Sequence, residues 1–276
     1  MRWNPNPESF TVSKLPLSDE MQRSYDNSRY DWTPSTGGVL RLTKSSLFGY
    51  HFCPYQYWLE KFQGHRSEET MWMVRGSNVH DVVEYFWKNV DPILDEVLAL
   101  IEDYKENLAY KKLQSIIPKP PAPYEYGEET WLRWQWDRLI VTKGKNWKPV
   151  GNELEVHART NVEVDGVIVP VHMKGFVDRV FQDGDDGFIL MELKTGKWTP
   201  KKATSMRQEM QFYKMLMEEG ESEFLPVTNW AWEFPSGEVN NGDRREWEIE
   251  QIGERKTRYA PKSVDKKIKA LIRAHL

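Results

Sequence analysis

Asp178, Glu192 and Lys194 stand in two short stretches, FVDRVF and FILMELKTG, joined by the polar turn Asp183-Gly184-Asp185-Asp186-Gly187. Apolar and β-branched residues around a Gly/Asp-rich turn read as a β-hairpin. Side chains alternate along a strand, so Phe176, Asp178 and Val180 share one face of the first, and Leu190, Glu192 and Lys194 one face of the second. Folding the stretches about Asp185 sets Asp178 opposite Glu192, with Cβ atoms about 4.5–5.5 Å apart. Lys194 then lies one pleat on, about 7 Å away. Two opposed carboxylates repel, and a hard divalent cation between them offsets the repulsion. Mg2+ takes one or two carboxylates and keeps several waters. Such an ion polarises a phosphoryl oxygen and lowers the pKa of bound water, while a lysine beside it orients or deprotonates that water or stabilises phosphate charge. A one-residue slip would part the two acids. The same residues also suit an ordinary exposed hairpin in which Glu192 and Lys194 neutralise each other.

The rest of the chain bounds what can surround this hairpin. At 276 residues, 29% charged and 39% hydrophobic, it can bury a sizeable core. The net charge of −4 argues against a surface coated in basic residues but allows one basic groove. Cys53 is the only cysteine, which excludes an internal disulfide and an iron–sulfur cluster held by about four thiolates. No stretch approaches the roughly 20 apolar residues of a membrane span. The polar start, Met1 to Asp19, lacks the apolar core of a secretory signal, so a cytoplasmic protein with no membrane partner is expected. Trp131, Trp134 and Trp136 sit close together in a helical segment, where core packing is a commoner use of tryptophan than stacking on bases.

Residues 1–38 read as a flexible arm ending at Gly37-Gly38. Thr43 is a plausible cap for a helical segment that Pro54 should split. Helices are expected from Ser77 to Asn89, over 92–117 and over 128–141, the last two separated by PKPPAPYEYG. After Gly151 the pattern changes to antiparallel strands, then a helix from Ala203 to Glu219 stopped by Gly220, then strands around NWAWEF and REWEIEQI. A basic segment, 251–276, closes the chain and suits either a second contact or a tail. On the helix from Ser77, Val79, Val82, Val83, Phe86 and Val90 form the inward stripe, with His80 at its edge beside Glu84 and Trp87. On the later helix, Glu209 falls inside the apolar arc of Met206, Met210, Tyr213, Leu216 and Met217, and a carboxylate so placed needs a partner. Glu153 and Glu155 share a face of the first predicted strand.

Four separated pieces, in order, resemble the PD-(D/E)xK nuclease superfamily in its RecB-like branch, which includes recombination and CRISPR adaptation nucleases. Gly76-Ser77-Asn78-Val79-His80 resembles its G-x-x-x-H helix start, Gly175-Phe176-Val177-Asp178 its G-h-h-D strand, and Glu192-Leu193-Lys194-Thr195-Gly196 its (D/E)-x-K-T-G strand. The helix through Tyr213 resembles the one that follows, except that Glu209 stands where the family has glutamine. LTKSSLFGYHFCPYQYWLE is similar to the segment that opens such domains.

The resemblance implies metal ligation by His80, Asp178, Glu192 and the Leu193 carbonyl, with Lys194 as the catalytic lysine and Glu155, Glu209 and Tyr213 adjacent. It implies Mg2+ or Mn2+ and a DNA substrate. Lys197, Trp198, Lys201, Lys202 and Arg207 follow closely and suit phosphate contacts that weaken with salt. The expected fold is α+β, a restriction-endonuclease-like core whose mixed sheet of about five strands is flanked by helices. A single domain is expected over 39–276: a helical part (39–150) carrying His80, a sheet core (151–250) and the basic segment. The expected activity is that of a deoxyribonuclease, an exonuclease of recombination, repair or viral DNA processing, working with a helicase or recombination protein. The rival is a catalytically inactive nucleic-acid-binding protein on the same fold.

Overall fold

The computed structural model describes residues 39–65, 70–118, 127–185, 187–196, 198–235 and 250–276, without the Trp72 side chain. The expected arm, Lys197 and most of REWEIEQI lie outside the described residues. The first half runs β1 (Leu40–Thr43), α1 (Lys44–Phe52), α2 (Pro54–Phe62), α3 (Met71–Asn89), α4 (Asp91–Glu102), α5 (Glu106–Gln114) and α6 (Glu128–Thr142). The second half runs β2 (Gly151–Val164), β3 (Val167–Asp183), β4 (Gly187–Leu193), α7 (Pro200–Glu219), β5 (Val227–Glu233), β6 (Glu250–Gln251) and α8 (Ala260–Arg273).

The α+β expectation holds, with a mixed sheet of six strands rather than five. Its order is β1-β3-β4-β5-β6, with β2 paired on β3. The added strand is β1, whose four residues are too few to show a two-residue period. Thr43 caps α1 as its type suggests, accepting from Ser46 N–H while Ser46 Oγ accepts from Thr43 N–H. Pro54 opens α2, where its missing N–H costs nothing. The expected single helix over 92–117 is two, parted at Tyr104, which takes a left-handed φ of 58°. The helix bearing His80 starts at Met71, capped by the Thr70 side chain, so Gly76 and Ser77 are interior and not its start.

Two apolar clusters clamp the sheet. One joins Val171, Met173, Val177 and Trp230 to Met210, Tyr213 and Leu216 of α7 and Val264, Ile268 and Leu271 of α8. The second joins Phe181, Ile189 and Met191 to Val79, Val83 and Phe86 of α3 and Trp131 of α6. β4 is covered on both sides, which is why FILMEL reads as an unbroken apolar run with one carboxylate in it. Trp131 is fully buried, edge-on to Phe86 and Trp87, so packing is its role and not base stacking. The basic C-terminal segment is not a loose tail: α8 sinks an apolar stripe into the first cluster.

His275 is buried there as well, its Nε2 3.1 Å from the Tyr57 hydroxyl and its ring beside Phe62. Burial pushes the imidazole down to about 3. The unfolded chain therefore takes up this proton first, near pH 6.5. Stability is retained above that value and falls as pH drops from there towards 3, by at most about 1.4 kcal/mol per pH unit. Urea titrations between pH 7 and 4 should show a flatter acid limb for His275→Phe than for wild type; equal slopes would contradict this account.

Candidate metal centre

β2 pairs with β3 along one edge, Gly151↔Val180 through Val164↔Val167. The other edge is shared. β1 runs parallel to residues 171–174, and β4 antiparallel to residues 179–183. The carboxyl ends of β1 and β4 thus converge on Gly175–Asp178, where no third strand among the described residues fills the edge. Splayed strand ends of this kind leave a crevice for side chains and ligands. Lys44 is the first residue beyond β1, and Glu192, Leu193 and Lys194 stand at the end of β4.

Two glycines let helices close over this gap. A Cβ on Gly175 would lie 2.8 Å from Tyr213 Cε1 and 3.1 Å from Leu216 Cδ1, so only glycine lets α7 lie this close to β3. A Cβ on Gly76 would meet Thr195 Oγ1 at 3.0 Å, which seats α3 against the end of β4. His80, four residues on, points from the same side of that helix.

The hairpin register is the one drawn about Asp185: Arg179↔Met191, Val180↔Leu190 and Phe181↔Ile189 pair. One step beyond the ladder, Leu193 N–H donates to Asp178 Oδ2 at 2.7 Å. Strict alternation does not persist on β3, however. Phe176 is 44% exposed, whereas Val177 and Val180 enter the same cluster and Phe181 the opposite one. The pleat is broken at Asp178. Opposite it, Glu153 is left-handed at φ 49°, and this breaks β2 at the same level.

That break brings Glu153 to the site. Ligand atoms of His80, Glu153 and Asp178 lie within 4.8 Å of one another, a grouping that could hold a metal ion. His80 Nδ1 is 3.6 Å from Asp178 Oδ2. Glu192 stands beside this group, 2% exposed. Its Oε1 receives two ammonium groups, Lys44 at 2.6 Å and Lys194 at 3.0 Å. Its buried Oε2 makes no hydrogen bond to any described residue. Lys194 also donates to Glu209 Oε2 at 2.8 Å, and Tyr213 packs below.

The electrostatics divide the acids. Burial raises the Asp178 carboxyl, and the neighbouring Glu192 raises it further. Burial likewise pushes Glu153 up, to about 7, with help from Asp178 and Glu84. Burial works to raise Glu192 too, but Lys194 and Lys44 overcome it and hold that carboxyl at about 2. Both lysines are driven up despite burial, chiefly by Glu192. Asp178 and Glu153 thus sit in excess negative potential, and Glu192 keeps a spare oxygen. A hard divalent ion fits this donor set.

A cavity of about 410 Å³ is lined by Lys44, His80, Asp178, Glu192, Lys194 and Glu209, and further by Thr195, Gly196, Lys202, Ser205 and Met206. A larger opening, about 560 Å³ beside Arg41, Arg159 and His172, has no carboxylate in its lining.

Not every expected neighbour arrives. Glu155 is turned away, exposed and bound to Lys174 at 2.8 Å and His157 at 2.6 Å. Strict alternation put Glu153 and Glu155 on one face; the left-handed turn at Glu153 separates them, so Glu153 and not Glu155 joins the group. Arg207 is not available as expected, since its Nε and Nη2 grip Glu250 at 2.7 and 2.6 Å. Trp198 is half-buried against the core, Lys201 is exposed on the first turn of α7, and Lys202 lines the cavity. Lys44 was not anticipated, because nothing in LTKSS marks it; only the placement of β1 aims it at Glu192.

Because the folded protein holds the Glu153 proton up to about pH 7 and the unfolded chain only to about 4.5, the group costs stability as pH rises through that window. In EDTA, Glu153→Gln should therefore melt above wild type at pH 8 and level with it near pH 5. Added Mn2+ should raise the wild-type melting temperature more than the variant's. Equal shifts would remove Glu153 from the site.

A search of curated proteins finds none that matches. Among solved structures, the crystal structure of SSO0001 is similar at 14% identity over 82% of this chain and 87% of that one, with a TM-score of 0.32, too loose a likeness to bear on function. A family model, the PD-(D/E)XK nuclease superfamily, matches residues 41–274, which take in β1 and Lys44, His80, the catalytic-type hairpin and α8. This chain belongs to the PD-(D/E)XK nuclease superfamily.

Proposed function

We propose that the protein is a Mg2+- or Mn2+-dependent DNA nuclease of the RecB-like branch, acting as an exonuclease in recombination, repair or viral DNA processing. Membership of a superfamily of divalent-metal nucleases supports hydrolysis of phosphodiester bonds. The observation that carries the reading is the group His80, Glu153 and Asp178, with the unpartnered Glu192 Oε2 and the Lys194 ammonium beside it.

In this reading His80, Asp178, Glu153 and Glu192, with the Leu193 carbonyl, hold the ion. Once bound, it supplies charge neutralisation at the phosphoryl oxygens and a water of lowered pKa. The Leu193 amide fixes Asp178 through Oδ2. Lys194, tied to Glu192 and Glu209, acts as a charged donor that orients water and steadies phosphate charge. Tyr213 and Gly175 hold α7 down over the centre. Lys201 and Lys202, on the first turn of α7 where the helix dipole favours anions, receive the strand's phosphates. These contacts read no base, which supports cutting without sequence preference. Among the described residues no helix is long and apolar enough to cross a membrane. A cytoplasmic place, a single nuclease domain over 39–276 and a separate helicase or recombination partner complete the proposal.

End-labelled linear DNA should be degraded in Mg2+ or Mn2+ while closed circular DNA survives. Lys194→Ala should slow the reaction by roughly a hundredfold or more. Cutting of circles would replace exonuclease with endonuclease. If both substrates persist under either ion, the inactive DNA-binding protein on the same fold is the correct description.

A further inference from the structure

Glu209 stands where the resemblance leads one to expect glutamine, so α7 carries an extra acid over the centre. Lys44 is an extra base at the same spot, and its location explains the acid. Lys44 Nζ lies 2.6 Å from Glu192 Oε1, the same oxygen that Lys194 reaches at 3.0 Å, and 3.9 Å from Glu209 Oε2. Glu209 Oε2 in turn holds Lys194 at 2.8 Å. The Lys44 ammonium also lies 5.0 Å from the centroid of the Tyr213 ring. The side chain is therefore held by three neighbours, Glu192, Glu209 and Tyr213, and turned inward from the start of α1.

One ammonium suffices to neutralise Glu192. A second beside it adds a positive charge that interacts with Asp178 as well, offsets part of the negative potential there and so opposes the entry of a divalent ion. A glutamine at position 209 could accept a hydrogen bond but could not cancel that charge. A glutamate does both. Two donors on Oε1 also leave the lone pairs of Oε2 as the only ones of Glu192 not engaged by a described residue.

We propose that Lys44 and Glu209 are a compensating charge pair: Lys44 brings a second positive charge beside Glu192 Oε1, and Glu209, which faces both lysines, cancels it. The inference rests on the metal-dependent reading above. Neither residue needs to touch DNA or the ion. What the pair sets is the net charge that the ion meets.

The test is calorimetric titration of Mn2+ into the full-length, EDTA-stripped chain without DNA, with a melting curve recorded for every variant. Glu209→Gln leaves the pocket one unit more positive and should weaken Mn2+ binding by roughly tenfold. Lys44→Met leaves it one unit more negative and should tighten binding. The double variant should return to within roughly threefold of wild type, because the two changes cancel. Residues that merely support the fold would weaken binding in all three. The pair is overturned if Lys44→Met weakens binding, if the double variant binds as poorly as Glu209→Gln, or if wild type binds and no variant differs. Should Glu209→Gln fail to fold, Lys44→Met decides alone, since lost structure cannot tighten binding. A wild-type chain that takes up no Mn2+ overturns the metal-dependent reading itself, and this inference with it.

Discussion

Glu192 is 2% exposed and ionised, and an ionised carboxylate in that position costs several kcal/mol unless cations and donors surround it. Two lysines meet that demand, and they come from strand ends far apart in sequence, β1 and β4. The strands can deliver them to one oxygen only because both run along the same edge of β3 and stop facing each other. The parallel pairing of β1 fixes Lys44 on one side of the gap, and the antiparallel hairpin fixes Lys194 on the other. Loss of either pairing would take one of the two ammonium donors from Glu192 Oε1, so the topology of the sheet and the charge balance of the centre depend on each other.

A second buried pair lies one residue from the first. Arg179, next to Asp178, reaches Glu233 Oε2 at 2.9 Å, and both side chains are 1% exposed. Glu233 also accepts from Trp131 Nε1 at 3.0 Å and Gln135 Nε2 at 2.9 Å, which ties α6 to the sheet. The broken pleat sends Asp178 to the group with His80 and Glu153 and its neighbour Arg179 into the helical side. Trp131 then holds the aromatic cluster that seats α3, the helix of His80. Replacing such a buried pair by apolar residues is often neutral or stabilising elsewhere. Here it fixes where a histidine and an aspartate meet, which a greasy contact of similar volume would leave less defined.

The sequence made the hairpin register legible because a polar turn with one centre and an apolar run on each side admits few pairings. Asp178, Glu192 and Lys194 were readable for that reason. His80 was readable as an edge residue of a strong helical stripe, although Thr70 and not Ser77 caps that helix, which starts earlier. Lys44 was not readable. Its role depends on a four-residue strand pairing with residues about 130 positions away, and no local period records such a contact. Glu155 was misread because alternation is a rule for unbroken strands, and β2 is broken two residues earlier. Arg207 was misread because charge near a site says nothing of its partners, and Glu250 arrives from a distant strand.

The break itself has a physical meaning. A glutamate at φ 49° inside a strand adopts a conformation that costs of order 1 kcal/mol or more for a residue with a side chain. Asparagine or glycine would hold that backbone more cheaply, yet the position carries a carboxylate pushed up to about 7 by burial and by Asp178. Both penalties fall on one residue, and Arg179 offsets the electrostatic one only in part; the neighbouring Asp178 carboxyl is raised as well. A divalent cation held there, as proposed, would relieve the electrostatic penalty and give the unusual backbone a purpose, since without the left-handed turn Glu153 would share the face of Glu155. Strain and repulsion are thus concentrated at the group of His80, Glu153 and Asp178, and the rest of β2 and β3, paired on either side of that level, holds them in place.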